Sequence, residues 1–408
     1  MHSPDLSTLI ARQRPGHALQ REFYTDPALF AADLQRMVYR HWFCALHASE
    51  LRAPGDYRVV ELGAESLIFV LNREREIRAL VNVCRHRGSR LCSAQPGRAQ
   101  AMRFTCPYHG WSYDLDGRLI GAAQMPDGFE RERHGLRVLP VRVVAGLVFT
   151  TLADNPLDFG PAETALLGSV GVHGWAHAKV AHRRSYSIQA NWKLAIENYM
   201  ECYHCQPAHP EFARRHVYAR PERDVAALEE AGSRRAAALG IRIPFVDQYA
   251  LGAVAGAESA SVFRTALDAG VDSGTPDSRP IGRLMGDFTA HDGNTTYIDI
   301  GPISDFLAYA DHGVIYRFIP RSVLHTEMEI LWLVHEDAVE GEDYDVERLT
   351  WLWHVTSLED KKIVEWNQAG VGSRFFEPGP YSTREPFPQR FVEWYLHELS
   401  EPAGAHAG

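Results

Sequence analysis

The spacing of apolar positions changes character along the chain. Between residues 22 and 42, Phe30, Leu34, Met37, Val38 and Trp42 recur at helical spacing behind Asp26-Pro27, which predicts one N-terminal helix. From Tyr57 to Val83 the period shortens. YRVVEL, SLIFVLN and IRALVNV are β-branched runs split by Gly63 and the charged turn REREI, and LRVLPVRVVAGLVFTTL continues the texture. These runs predict a small all-β module. After Asn155-Pro156 helical spacing returns over 162–169 and 191–205, whereas the stretch 221–290, rich in Ala, Gly, Arg and Asp, has no clear period. Beyond 293, TTYIDIGPISDFLAYADHGVIYRFIPRSVLHTEMEILWLVH reads as successive antiparallel strands, followed by helices over 345–369 and 387–399. The expected organisation is a helical segment 1–42 packing on the last unit, a β domain 43–155, and an α+β domain 156–408.

Composition narrows the function classes. At 408 residues, with 45% hydrophobic and 23% charged, the chain can bury sizeable cores. Its 42 basic and 52 acidic residues leave a formal charge of −10 without a basic block to track a phosphate backbone, which argues against nucleic acid as a partner. MHSPDLSTLIARQRPG lacks the apolar run of a signal peptide, and no stretch reaches the ~20 apolar residues of a membrane helix, so a cytoplasmic location is expected. Six cysteines are too few for a disulfide scaffold at this length and are expected as thiols or metal ligands.

Their placement is more telling. In CRHRGSRLCSAQPGRAQAMRFTCPYHGWSYDLDG, Cys84 and His86 form a C-x-H pair and Cys106 and His109 a C-x-x-H pair. Gly88 and Gly110 follow the pairs and permit tight ligand loops, Pro107 stiffens the second, and Tyr-x-Leu-Asp-Gly predicts a β-turn. On ligand type alone, two sulfurs and two imidazoles suit a zinc ion or an iron–sulfur cluster. The nineteen residues between His86 and Cys106 include Cys92, which reads as a small buried thiol.

A second concentration of ligands lies in NWKLAIENYMECYHCQPAHPEF. Trp192, Ile196, Tyr199 and Tyr203 make an apolar helical stripe, and Glu197, Glu201 and His204 a separate polar one. Carboxylates and an imidazole in so apolar a segment need a charged partner. Pro207 predicts a turn that brings His209 beside His204, and two neutral histidines with one carboxylate make the facial triad of non-haem iron(II). Either histidine taken alone reads as a hydrogen-bonded core residue. Cys202-x-x-Cys205 reads as a packing pair, with a redox dithiol as the alternative. For the carboxylate, Ser357-Leu358-Glu359-Asp360 offers Asp360 at a helix start, although by spacing alone that run is a capping box.

With both motifs in this order, the chain from about residue 20 to 396 resembles the catalytic α subunit of the Rieske non-haem iron oxygenases. The resemblance implies an all-β Rieske [2Fe-2S] domain followed by an α+β catalytic domain of helix-grip (START-like) type. It implies Cys84, His86, Cys106 and His109 as cluster ligands, and His204, His209 and Asp360 as ligands of a mononuclear Fe(II). It also implies a homotrimer in which one subunit's cluster feeds its neighbour's iron, with Glu201 as the bridge, hydrogen-bonded to His109. Glutamate at that bridge, together with YADHGVIYRFIPRS, LVHEDAVEGEDYDVERL and NQAGVGSRFFEPGPYS, is similar to the branch acting on quaternary ammonium compounds. That branch includes glycine betaine, carnitine and choline monooxygenases and stachydrine demethylase.

The activity so implied is O2- and NAD(P)H-dependent hydroxylation of an N-methyl group on a small glycine betaine-like cation, releasing formaldehyde. A separate NAD(P)H-dependent flavin/iron–sulfur reductase would supply electrons. Aromatic-ring dioxygenation and carnitine-type C–N cleavage are alternatives, and an electron carrier or metal-stabilised binding protein is a third class. Aromatic faces hold permanent cations. Tyr199, Tyr203, Tyr297, Phe306, Tyr309 and Tyr316 are the candidates, and by spacing each reads equally as core.

Overall fold

A computed structural model describes residues 6–247 and 256–400. Residues 1–5, 248–255 and 401–408, which belong to stretches covered by the expectations above, lie outside the described residues.

The period-2 runs form strands where they predict them. Asp56–Leu62, Glu65–Leu71 and Ile77–Val81 pair as an antiparallel meander, edged by Gly97–Arg98 and Val138–Leu139. A separate small sheet, Arg103–Thr105, Ser112–Asp114 and Leu119–Gly121, carries the second ligand loop between its first two strands. Ile68, Val70, Leu80, Phe104 and Tyr113 form the core between these sheets, and Cys84 and Cys106 are buried in it. A third sheet, made of Phe43–His47, Leu147–Thr150 and Val141–Val144, joins this β region to the rest of the chain. There Phe149 meets Phe306, and Arg183 reaches Glu50 at 2.7 Å.

The later strands make a six-stranded antiparallel sheet in the order Ala178–Ile188, His325–His335, Gly313–Ser322, Ser304–Ala308, Asn294–Ile300, Ala260–Ala266. Alternate residues serve its two faces. Ile298, Phe306, Ile315 and Leu331 pack with Trp42, Phe159 and Trp175 on one side. Tyr316, Phe318 and Trp332 face the helices Trp192–Tyr199 and Val346–Val371 on the other. Helices gripping one face of an antiparallel sheet give the α+β architecture that the family resemblance implies. Among the described residues no helix is long and apolar enough to cross a membrane.

Two local expectations need correction. The N-terminal helix is interrupted: Arg21–Thr25 ends at Asp26, whose carboxylate accepts from the Ala28 and Leu29 amides at 2.7 and 3.2 Å to start Pro27–Asp33. A π-helical turn, Leu34–Val38, follows, and Trp42 lies beyond it. The stretch without a clear period contains a 17-residue helix, Glu222–Ala238, of which only Gly232 and Ala236 are buried. A helix that buries so little carries no apolar stripe to read.

Asp33 ties the N-terminal segment to the helices that pack on the six-stranded sheet. Its carboxylate accepts from Tyr395 Oη at 2.6 Å and Trp192 Nε1 at 3.1 Å, and it pairs with the fully buried Lys193.

Candidate active site

The two ligand loops of the β region are near copies of one another. Gly88 N–H donates to the Cys84 carbonyl at 3.0 Å, and Gly110 N–H to the Cys106 carbonyl at 3.1 Å. Cys84 N–H donates to Ser89 O and Cys106 N–H to Trp111 O, each five residues on. Gly88 and Gly110 have φ of +75° and +72° with open space around them, so glycine is required by the turn and not by crowding. The loops place both sulfurs inside and both imidazoles outside. Cys84 and Cys106 are each 3% exposed, while His86 and His109 are exposed with ring centroids 4.5 Å apart. His86 stacks on Trp111, and Tyr113 Oη lies 3.3 Å from Cys84 Sγ. Burial opposes ionisation of Cys106, but amide hydrogen bonds from Tyr108 and His109 outweigh it and pull the thiol below its usual range. Buried sulfurs below and paired imidazoles at the rim fit a two-iron cluster with one iron on each ligand type.

The second ligand set is built where a helix stops. Asn191 caps Trp192–Tyr199 by accepting from Lys193 N–H at 3.1 Å, and the helix ends at Met200, short of the predicted 205. Glu201 causes the break to persist: its carboxylate turns back to take the amides of Tyr203 and His204. The polar stripe expected across Glu197, Glu201 and His204 is therefore divided. Glu197 instead accepts from Tyr24 Oη at 2.9 Å and Tyr381 Oη at 3.1 Å, away from the ligands. Gln206 and Pro207 lie inside a short helix, Cys205–Ala208. The turn that was expected at Pro207 falls at His209, which is non-helical before Pro210, the first residue of Pro210–Arg215.

His204 and His209 nevertheless meet, with ring centroids 5.0 Å apart. Asp360 reaches them from the middle of Val346–Val371, not from a helix start; Asp345 is the cap of that helix, 2.8 Å from Arg348 N. Asp360 Oδ1 lies 2.8 Å from His209 Nε2 and 3.3 Å from His204 Nε2, and the three ligand atoms fall within 4.8 Å of one another. Each imidazole is held by a carboxylate on its other side: Glu201 Oε1 is 2.5 Å from His204 Nδ1, and Glu359 Oε2 is 2.8 Å from His209 Nδ1. That backing leaves both Nε2 lone pairs for a metal. Burial would lower His204, yet Asp360 and Glu201 raise it to about 9. Burial is likewise outweighed at His209 by Asp360 and Glu359, which raise it, and at Asp360 by the two imidazoles, which lower it. A pocket that gathers positive charge this strongly, with two nitrogens and one oxygen converging, fits a non-haem iron.

A cavity of about 340 Å³ opens beside these ligands. His204, His209 and Asp360 form part of its wall, and Phe212, Tyr218, Phe263, Trp353 and Phe387 supply aromatic surface. Of the aromatic candidates read from the sequence, Tyr199 and Tyr297 line it. Tyr297 is fixed by its hydroxyl, 3.2 Å from His216 Nδ1. Tyr203 is 52% exposed outside, with the Arg384 guanidinium 5.9 Å from its ring. Tyr316 lies behind Tyr199, which is 5.1 Å away between ring centroids, and Tyr309 lies behind Tyr297, bonded to His216 Nε2 at 2.8 Å. Phe306 points to the opposite face of the sheet, against Phe149 and Trp175, and is removed from the pocket. Strand alternation puts it there: Asp305 and Leu307 take the cavity face.

Several site residues escaped the sequence reading. Glu359 was hidden in an acidic run beside Asp360. Among the described residues of 221–290, Phe263 lines the cavity, and strand pairing opposite Tyr297 reveals it. Cys202 and Cys205, expected as packing thiols, form a disulfide in the cavity wall on either side of His204. Cys92 is free and half-buried, and burial pushes its thiol up to about 11. Within one chain, no hydrogen bond among the described residues joins Glu201 to His109.

Comparison with known proteins agrees with this construction. Residues 41–140 match the Rieske [2Fe-2S] domain, and residues 175–401 match the ring hydroxylating alpha subunit (catalytic domain). The chain is 36% identical to the glycine betaine monooxygenase oxygenase subunit of Chromohalobacter salexigens over 99% of this chain and 91% of that one. It is 34% identical to the carnitine monooxygenase oxygenase subunit of Escherichia coli K12 over 52% and 58% of the two chains. Among solved structures, a quaternary ammonium Rieske monooxygenase associated with carnitine oxidation superposes with a TM-score of 0.73 at 22% identity, covering 98% of this chain and 99% of that one. Naphthalene 1,2-dioxygenase from Rhodococcus sp. follows the same fold, with a TM-score of 0.67 at 18% identity over 97% and 98%.

Proposed function

The chain belongs to the Rieske non-haem iron oxygenase α subunits, and from that premise we propose that it N-demethylates a small quaternary ammonium compound of the glycine betaine type. The observation that carries this reading is the cavity, in which an aromatic wall and a two-histidine, one-carboxylate set share about 340 Å³. Aromatic faces favour a permanent cation by roughly 0.5–2 kcal/mol each, and a small trimethylammonium group suits that space.

In this reading residues 43–155 carry the cluster on Cys84, His86, Cys106 and His109, residues 156–408 carry the iron on His204, His209 and Asp360, and 1–42 brace the latter. When bound, the cluster supplies single electrons and the iron supplies the oxygen activation that hydroxylates an N-methyl carbon, so that the resulting carbinolamine releases formaldehyde. The protein's part is positioning. Glu201 and Glu359 fix the imidazole tautomers by accepting from Nδ1–H, Asp360 completes the donor set, and Tyr297 is locked by His216 so that the aromatic wall keeps its shape. His86 and His109 at the surface and Glu201 near it are arranged for transfer between subunits of a homotrimer, with a separate NAD(P)H-dependent reductase as electron source.

The test is a single turnover. Anaerobically reduced protein is exposed once to O2 with glycine betaine, carnitine, stachydrine or choline, and formaldehyde, trimethylamine and remaining substrate are measured. Formaldehyde from one of these is expected. Consumption of none of them, with hydroxylation of an aromatic acid instead, would overturn the substrate class and leave the family intact.

A further inference from the structure

A pair of carboxyls, one at the cavity wall and one behind it, has no part in the ligand set. Asp299 lines the cavity from Asn294–Ile300 and stands directly opposite Asp305 on the neighbouring strand. Asp305 is 1% exposed. Arginines on the two flanking strands point to the other face, where Arg264 pairs with Asp292 and Arg317 with Glu329. Ser261 donates its hydroxyl to Asp299 Oδ2 at 2.5 Å, whereas Asp305 Oδ2 is buried without a hydrogen-bond partner.

Two carboxyls on directly opposed strand positions, one fully buried and one half-buried, resist ionising together. Burial, then their mutual repulsion, pushes Asp305 far up, and burial raises Asp299. Asp305, the deeper of the two, keeps its proton, which leaves Asp299, lining the cavity and held by Ser261, as the acid that can carry negative charge toward a cation. Around the pair stand Tyr199 from the helix above, Tyr316 opposite Asp305 on the next strand, and Tyr297 on the strand of Asp299. Tyr199 Oη, beside the two acids, is also buried without a partner. A buried negative charge costs several kcal/mol unless a cation answers it. The side open to the cavity is where such a cation can come from.

We propose that the Asp299–Asp305 pair is the counter-charge that selects a permanently cationic substrate head over a neutral one of the same shape. Arg384, which lines the same cavity, takes the substrate's carboxylate. This inference rests on the quaternary-ammonium reading above and adds to it the source of charge selectivity, which aromatic surface alone does not supply.

The experiment compares two ligands of one shape, glycine betaine and 3,3-dimethylbutanoate, in which carbon replaces the charged nitrogen. Binding to the as-isolated holoenzyme under anaerobic conditions is measured by calorimetry. The wild type is expected to prefer the betaine. Asp305→Asn keeps the Asp299 charge, because its amide takes the place of the protonated carboxyl, so it retains the preference within about threefold. The double variant Asp299→Asn/Asp305→Asn loses the charge, and its preference falls roughly tenfold to a hundredfold while 3,3-dimethylbutanoate binding holds. An unchanged preference in the double variant, or equal loss of both ligands, overturns the proposal while leaving the proposed function standing. If the double variant does not fold, judged by thermal midpoint and visible cluster spectrum, Asp299→Thr/Asp305→Asn is read in its place by the same criterion. A wild type that binds neither ligand, or both equally, overturns the quaternary-ammonium reading and this inference with it.

Discussion

Glu197 offers a stability measurement with a sign that the structure dictates. Burial pushes its carboxyl up to about 7 from an ordinary 4.5, even though Tyr24, Tyr381 and Lys193 each pull it down. Because the folded state holds the proton more tightly than the unfolded one, the contribution is fully favourable below pH 4.5 and is lost as pH rises through about 7. At 1.36 kcal/mol per pH unit that gap corresponds to ~3 kcal/mol as an upper figure, since the side chain is only partly buried. Glu197→Gln is a permanent copy of the protonated form: its carbonyl accepts from one tyrosine and its amide donates to the other. Thermal or urea midpoints of both proteins between pH 5 and 8.5 are the assay. The difference should be smallest at pH 5, and the glutamine variant should gain a further ~1–3 kcal/mol by pH 8. A difference that stays constant across this range would refute the reasoning, because every other titrating group is common to both proteins.

Four further outcomes are expected. Glu359→Ala removes the acceptor behind His209 and should lower iron affinity about tenfold to a hundredfold, read as iron retained after chelation with the cluster spectrum unchanged. Gly110→Ala forces a Cβ onto a φ of +72°; it should cost about 1 kcal/mol and speed loss of the visible cluster bands on warming. Tyr297→Phe frees one wall of the cavity from His216 and should raise KM for the substrate more than it lowers kcat, whereas Phe306→Leu should change thermal stability and leave KM alone. Thiol titration of denatured, metal-stripped protein should find four of the six cysteines free before reduction and all six after it.

Both candidate ligand sets could be picked out because their spacing is short-range chemistry: C-x-H, C-x-x-H, and two histidines five apart around a turn. The β module was legible too, since half-buried strands alternate. Failures arose where a distant contact decides. Asp360 was reached through the family resemblance alone: its run spells a capping box, but 14 residues of helix precede it from Val346 onward, and the tertiary position of that helix is what sets it beside the two histidines. Glu201 ends its helix by competing for amides, an outcome that helical periodicity does not encode. Phe306 and Tyr297 look alike as aromatic strand residues, and a single step of register sends them to opposite faces.

The knot around Asp33 has a practical corollary for anyone trimming or tagging this protein. Lys193 sits in the first turn of the helix that ends just before Glu201 and His204, and its only ion-pair partner among the described residues comes from the N-terminal segment. A truncation past Asp33 would strand an ammonium in the core, a loss of the order of 3–5 kcal/mol. It would also loosen the root of the loop that presents His204. A shortened chain would be expected to emerge with its cluster intact and its iron site empty.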